Sequence, residues 1–365
     1  MRIAQVAPLY ESVPPKLYGG TERIVSWLTE ELVRLGHDVT LFASGDSMTT
    51  ARLIPACPKS LRLNPQCVDQ LAHHVNMLEH VFRERDNFDL VHFHVDYLHF
   101  PLTRRARLAN VTTLHGRLDI PDLAPLYRTF SDAPVVSISD AQRGPLPWAN
   151  WQATVHHGLP QDSLAFCANP GQYLAFLGRT SPEKGLDRAI QIAKRVGMPL
   201  KIAAKIDRAD QQYFEAVIKP LLADRLVEFI GEIGYSGKNA FLGNAAALLF
   251  PINWPEPFGI VMIEAMACGT PVVAYPFGSV PEVIENGVTG FLVRDVESAA
   301  RAVENIGKIA RTKCRQAFEE RFTLARMTRD YLAVYDRIVR GDPEPVLPTN
   351  GDLSWTKLAS PSSTT

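Results

Sequence analysis

This 365-residue chain has few cysteines, no long apolar run and almost no net charge. Its five cysteines, Cys57, Cys67, Cys167, Cys268 and Cys314, are odd in number and scattered, and no Cys-x-x-Cys occurs. That argues against a disulfide framework and suggests reduced thiols in a cytoplasmic protein. No stretch approaches the roughly 20 apolar residues that a membrane-spanning helix needs. The opening run, Met1 to Pro8, is too short for a secretory signal peptide. The formal net charge is −1 and neither half is strongly basic, which argues against nucleic acid as a partner. A complete Gly-x-Gly-x-x-Gly is also missing, so a dinucleotide site is disfavoured. Histidine is absent from the second half: all ten fall between His37 and His157. His92, His94 and His99 have a spacing that could start a metal site, but no neighbouring Cys/His pair completes one. Satisfied histidines at strand ends are the better expectation.

The length suits two domains of ordinary size. Ile3 to Ala7 is a short β run, followed by a loop with Pro14, Pro15, Gly19 and Gly20. Thr21 resembles an N-cap, and Ile24, Val25, Leu28, Leu32 and Leu35 recur at helical spacing until Gly36. Asp38 to Ala43 is the next strand. This strand–glycine loop–helix–strand unit begins a doubly wound sheet. A helix over Leu71 to Arg85 follows. Further β runs lie at Leu90–Val95, Val111–Leu114, Pro134–Ile138 and Ala153–Val155, giving about six parallel strands.

Periodicity lapses between Leu159 and Pro170, and a second sheet then starts afresh. Its strands are expected at Tyr173–Gly178, Leu200–Ala204, Val227–Ile230, Ala246–Ile252, Val272–Tyr275 and Gly290–Val293. The expected organisation is α/β, with two Rossmann-like domains of parallel sheet facing across a cleft. The domains span 1–165 and 166–325, a C-terminal helix covers 326–340, and residues 341–365 form a disordered tail rich in Pro, Ser and Thr.

The stretch from Pro255 to Pro271 carries the most information. Phe258 to Ala267 reads as a helix, flanked by Glu256 and containing Glu264 among Ile260, Val261, Met262, Ile263, Ala265, Met266 and Ala267. A carboxylate in such an apolar helix is costly unless something pairs with it. If the segment is mostly helical, the two carboxylates stand about 12 Å apart along its axis, the reach of a sugar diphosphate. The helix start between them offers free N–H groups to phosphate or sugar oxygens. Arg179 and Lys184 flank a strand-to-helix turn beside Gly178 and Gly185, at the sheet edge where doubly wound folds bind ligands. Two cations there suit a diphosphate.

Leu177-Gly-Arg-Thr-Ser-Pro-Glu-Lys-Gly185, together with Glu256-Pro-Phe-Gly-Ile-Val-Met-Ile-Glu264-Ala, resembles the signature pair of family-4 glycosyltransferases, retaining enzymes of GT-B architecture. The likeness extends from Met1 to about Arg340, and it implies that the final helix returns to pack on the first domain. Tyr18-Gly-Gly-Thr-Glu22, Thr113-Leu-His-Gly116, Val136 to Arg143 and Val155-His-His-Gly158 fall where the family has comparable segments. The resemblance implies that Arg179 and Lys184 hold the donor diphosphate and that Glu264 accepts hydrogen bonds from the donor ribose. It assigns Glu256 to the hydroxyls of the transferred sugar, and backbone N–H groups at Phe258, Gly259 and Ile260 to sugar or phosphate oxygens. It implies that Gly19 and Gly20 close over the donor and that His115 lies near the anomeric carbon. Ile233 would meet the base through its backbone, and Lys238 would add a contact.

The implied activity is transfer of a hexose from a nucleotide sugar, UDP-glucose first and GDP-mannose next, to a hydroxyl acceptor: a small molecule, a glycan or a lipid-linked species. No cofactor or metal is implied. No Asp-x-Asp occurs, so the metal-bridged diphosphate site of the other major glycosyltransferase architecture has no support in the sequence. A nucleotide-sugar 2-epimerase and a catalytically silent carbohydrate-binding relative share the architecture and stand as alternatives. Arg104, Arg105 and Arg107 could touch the inner membrane surface, but they are fewer than the four to eight cations of a lipid-binding cluster, and a solvated loop is the default.

Overall fold

The structure, a computed structural model, describes residues 1–341 apart from Tyr18 and Leu63. Of the expected tail over 341–365, residues 342–365 lie outside the described residues. Two all-parallel sheets form the molecule. The first contains β1 (Arg2–Val6), β2 (Asp38–Ser44), β3 (Arg52–Cys57), β4 (Leu90–Phe93), β5 (Asn110–Thr113), β6 (Val135–Ser137) and β7 (Trp151–Thr154). Its order is β3-β2-β1-β4-β5-β6-β7. The second contains β8 (Leu174–Arg179), β9 (Leu200–Lys205), β10 (Val227–Gly231), β11 (Ala247–Phe250), β12 (Val272–Ala274) and β13 (Gly290–Leu292), in the order β10-β9-β8-β11-β12-β13. Both orders reverse direction beside their first strand, which opens a crevice at the carboxyl ends of β1 and β4 and of β8 and β11.

The first sheet has seven strands rather than six. The extra one, β3, contains Pro55 and sits at the sheet edge, paired only with β2. Proline has no N–H for a ladder bond and is tolerated at an edge, so the run does not announce itself as a strand.

Helix starts also differ from expectation. α1 (Gly20–Arg34) has Gly19 in the N-cap position, and Thr21 lies inside its first turn. Helix α2 (Gln70–Arg83) is capped by Asp69, whose side chain accepts from the N–H groups of Leu71 and Ala72. In the second lobe, α3 (Leu186–Val196) and α4 (Tyr235–Gly243) follow β8 and β10. Helix α5 (Ile260–Ala267) starts two residues later than the sequence suggests. Gly259 precedes it with φ 77°, and a Cβ there would stand 3.1 Å from the Phe250 ring. The segment between Glu256 and Glu264 is therefore only half helical, and the 12 Å expectation does not apply to it.

The last helix, α6 (Leu324–Arg340), returns to the first lobe. Met327, Tyr331, Val334 and Tyr335 recur at helical spacing and pack with Ile24, Leu28 and Leu32 of α1 and with Ile3, Leu90, Val111 and Val136 of the sheet. Thr323 caps its start, accepting from Arg326 N–H at 3.3 Å. The two chain crossings between lobes run side by side. Leu159 N–H donates to Phe322 O at 2.9 Å, and Leu324 N–H donates to Leu159 O at 2.7 Å. A Cβ on Gly158 would meet Thr323 O at 2.2 Å. Gly158→Ala is thus expected to force the crossings apart and destabilise the fold by about 1–3 kcal/mol, read as a lower thermal midpoint; an unchanged midpoint would contradict this packing.

Candidate functional site

One cavity of about 580 Å³ lies between the lobes at the carboxyl ends of both sheets. All twelve residues singled out above line it: Gly19, Gly20 and His115 from the first lobe, and Arg179, Lys184, Ile233, Lys238, Glu256, Phe258, Gly259, Ile260 and Glu264 from the second. The glycine loop and the start of α5 face each other, with the Gly20 Cβ position 3.5 Å from Ile260 Cδ1. Neither α1 nor α5 has a side-chain cap, so two uncapped helix starts border the same space. Each offers unpaired N–H groups and the positive end of a helix dipole.

The two carboxylates flanking the start of α5 are already paired. Glu264, buried in the wall, accepts from Lys238 Nζ at 2.6 Å. Lys238 comes from α4, one β–α unit away. Glu256 Oε2 accepts from the Lys184 ammonium and, at 2.9 Å, from the indole N–H of Trp254. Both donors bind the same oxygen. Lys184 Nζ also stands 4.8 Å from the Trp254 ring centre, and Arg117 of the first lobe approaches that ring at 5.9 Å. Trp254 was not anticipated from sequence; the only signal was an aromatic two residues before Glu256.

Arg179, at the end of β8, is less free than its type suggests. It donates to Glu183 at 2.9 Å, and Asp210 and Asp207 lie 3.8 Å and 4.0 Å away. These acids hold the guanidinium at the cavity rim and offset part of its charge. Its register partner on β9 is Lys205, which also lines the cavity and adds a third cation to this edge.

On the first-lobe side, His115 stacks on His157 with ring centres 5.4 Å apart, and His157 packs edge-on to Phe258 at 4.9 Å. Sequence reasoning gave His157 no role, because its partners come from other strands and from the opposite lobe. Burial pushes the His115 pKa down to about 3 and that of His157 well below the usual imidazole value. Both rings are neutral at physiological pH. His92 has both ring nitrogens hydrogen-bonded, to Tyr335 at 2.7 Å and Thr113 at 2.7 Å. His99 bonds Thr112 at 2.8 Å and stacks on Phe93. These are satisfied histidines, and no group of three His, Cys, Asp or Glu side chains among the described residues is arranged to hold a metal.

Further lobe-to-lobe contacts surround the cavity. Arg23 of α1 lies 4.8 Å over the Tyr235 ring of α4, and Trp27 meets the same ring edge-on at 5.6 Å. Glu282 of the second lobe accepts from Asp140 N–H at 2.8 Å, Ala141 N–H at 2.7 Å and His156 Nε2 at 3.0 Å. The basic run is partly consumed: Arg104 pairs with Asp132 and lies over Phe130, and Arg105 bonds Pro101 O at 2.9 Å. No helix among the described residues is long and apolar enough to cross a membrane.

Asp96 follows β4 on the cavity wall with φ 50°, a conformation that L-residues avoid except Asn and Asp. It is open to cavity water but ringed by protein, and this burial raises its pKa to about 6. An acid whose folded pKa exceeds its unfolded value loses stability as pH rises between the two. Asp96→Asn should therefore raise the thermal midpoint at pH 7.5 and change it little at pH 4. An Asn that lowers the midpoint at pH 7.5 would show that the charged form is needed there.

Residues 168–322 match the family model of glycosyl transferases group 1, and residues 18–151 match that of glycosyltransferase family 4. Over its length the chain is similar to an uncharacterized glycosyltransferase of Methanocaldococcus jannaschii, 25% identical across 84% of this chain and 89% of that one. It is also similar to a phosphatidyl-myo-inositol mannosyltransferase of Propionibacterium freudenreichii, 26% identical across 83% and 85% of the respective chains. Among solved structures it resembles Anabaena HepE in complex with UDP and glucose, with TM-score 0.70, 19% identity, and coverage of 92% of this chain and 99% of that one.

Proposed function

Since this chain belongs to the family-4, group 1 glycosyltransferases and has their GT-B architecture, we propose that it is a retaining hexosyltransferase. In this reading it takes a nucleotide-activated hexose, UDP-glucose first and GDP-mannose next. The acceptor is a hydroxyl on a small molecule, a glycan or a lipid-linked species. The observation that carries the reading is the convergence of Arg179, Lys184 and two uncapped helix starts on one interlobe cavity bounded by Glu256 and Glu264. The HepE complex supports a uridine diphosphate donor, and the mannosyltransferase supports the second choice.

The donor diphosphate lies against Arg179, Lys184 and the N–H groups at Phe258, Gly259 and Ile260. Its ribose hydroxyls donate to Glu264, its base meets the backbone at Ile233, and Lys238 adds a contact beside the ribose. The glycine loop at Gly19 and Gly20 covers it from the first lobe. As the bond from C1 to the phosphate oxygen breaks, positive charge develops on the sugar and negative charge on the leaving phosphate. Donor binding has by then moved Lys184 from Glu256 to phosphate and turned Glu256 to the sugar hydroxyls. The acceptor hydroxyl bonds to C1 on the face the phosphate leaves, and its proton passes to a phosphate oxygen. Stabilisation comes from fixed cations and dipoles, so the reading asks for no metal. We place the enzyme in the cytoplasm, where its five free thiols would stay reduced.

A thermal-shift panel of nucleotide diphosphates and their sugars tests this directly. UDP or GDP should raise the melting temperature, and Lys184→Ala or Glu264→Ala should abolish the rise. No shift with any nucleotide would remove the donor hypothesis. Separately, Glu256→Ala should lose turnover while keeping nucleotide affinity, and unchanged turnover would contradict its place at the sugar. Consumption of donor without any acceptor would point to epimerisation instead.

A further inference from the structure

A continuous line of buried polar groups runs from the cavity into the first lobe and ends on the C-terminal helix. His115 Nε2 meets His94 Nδ1 at 2.9 Å, and His94 Nε2 meets Gln5 Oε1 at 2.9 Å. Gln5 Nε2 donates to the Tyr335 hydroxyl at 3.2 Å, which meets His92 Nδ1 at 2.7 Å. His92 Nε2 meets Thr113 Oγ1 at 2.7 Å, and Thr113 donates to the Tyr331 hydroxyl at 3.0 Å. Apart from His115, which opens to the cavity, every member is buried. The line joins the ends of β1, β4 and β5 to two tyrosines one helical turn apart on α6.

Burial holds all three imidazoles neutral, with pKa values lowered well below the usual range. A neutral imidazole has one N–H and one bare nitrogen, so each ring passes the donor direction on without choice. Gln5 sets that direction. Its amide oxygen faces His94, so His94 Nε2 carries the proton and Nδ1 is bare. His115 must then donate through Nε2. On the other side, the Gln5 NH2 donates to Tyr335, so the one Tyr335 proton goes to His92 Nδ1. His92 then donates through Nε2 to Thr113, and Thr113 donates to Tyr331. Every bond in the line agrees with one orientation. Rotating the Gln5 amide by half a turn would reverse them all.

We propose that Tyr335 is a positioning residue for His115: acting through Gln5 and His94, it fixes His115 as the Nε2–H tautomer. The other nitrogen, Nδ1, has no hydrogen-bond partner among the described residues and is left to the cavity as an acceptor. It suits a ligand group that donates, a sugar hydroxyl, and disfavours one that only accepts. This ligand assignment rests on the glycosyltransferase reading; the tautomer does not. It also explains why two tyrosines occupy a helix face where the neighbours Met327 and Val334 are apolar. The last helix packs on the first lobe and also sets a hydrogen-bond direction at the cavity.

Nitrogen-15 NMR of histidine-labelled protein without ligand reads the tautomer, with the His115 signals assigned by a His115→Gln variant. The expected result is a neutral ring protonated at Nε2. Tyr335→Phe removes the hydroxyl that Gln5 and His92 share, frees the amide to rotate, and should convert His115 to a tautomer mixture. In the same variant kcat should fall roughly tenfold, the effect of one buried hydrogen bond, while donor KM stays within about twofold. Tyr127→Phe deletes a hydroxyl from another buried tyrosine of the first lobe, one outside the line, and should leave the His115 spectrum as in wild type. Gln5→Met cuts the line nearer the cavity and serves if Tyr335→Phe folds poorly. A wild-type ring protonated at Nδ1, or equal responses to the two tyrosine variants, would overturn the proposal. If no donor supports turnover, the functional reading fails while the tautomer result still stands or falls by itself.

Discussion

The site depends on a single electrostatic constraint: carboxylates set in an apolar wall must each have a cation. Glu264 sits in a helix whose other residues are nearly all hydrophobic, and Lys238 neutralises it at 2.6 Å. Glu256 has Lys184 and the Trp254 indole on one oxygen. Removing one partner of a buried pair costs about 3–5 kcal/mol, because the other charge is left stranded. The consequence is architectural. The cations come from the loop after β8 and from α4, so the pairing ties three β–α units of the second lobe around one cavity. The charges that a diphosphate would meet are in place before any ligand arrives.

The first lobe completes the cavity through contacts that are mostly polar or aromatic. Glu282 holds the backbone at Asp140 and Ala141, Arg23 covers Tyr235, and His157 packs on Phe258. Contacts of this kind can separate at modest cost compared with an apolar core. Among the described residues the chain crosses between lobes only at Gly158–Leu159 and Phe322–Leu324, paired to each other. Such a two-strand connection permits the lobes to open and close about it, as entry and release of a ligand from an interlobe cavity require.

Much of this arrangement was legible in the sequence. Alternating β runs and helical spacing gave two doubly wound sheets, and the two glycine- and charge-bearing turns marked the edge where the cavity lies. Glu264 was readable as a paired acid because its neighbours are all apolar. What escaped was set by distant contacts. β3 is hidden by Pro55, which only an edge position tolerates. Trp254 and His157 matter through partners in another unit or lobe, and no local spacing records that. Arg104, expected in a solvated loop, lies on a helix over Phe100–Ala106 and pairs with Asp132, and Arg179 is partly spent on Glu183. Tyr331 and Tyr335 read as helix-face residues, but their hydroxyl partners lie on strands more than 200 positions earlier.

The most direct measurement is a crystal structure of the protein with UDP bound. The account requires density in the interlobe cavity, with the uracil against the backbone at Ile233, the ribose hydroxyls on Glu264, and the Lys184 ammonium moved from Glu256 to the terminal phosphate. UDP bound elsewhere, or a diphosphate in the cavity with the Lys184–Glu256 pair intact and Arg179 turned away, would contradict it.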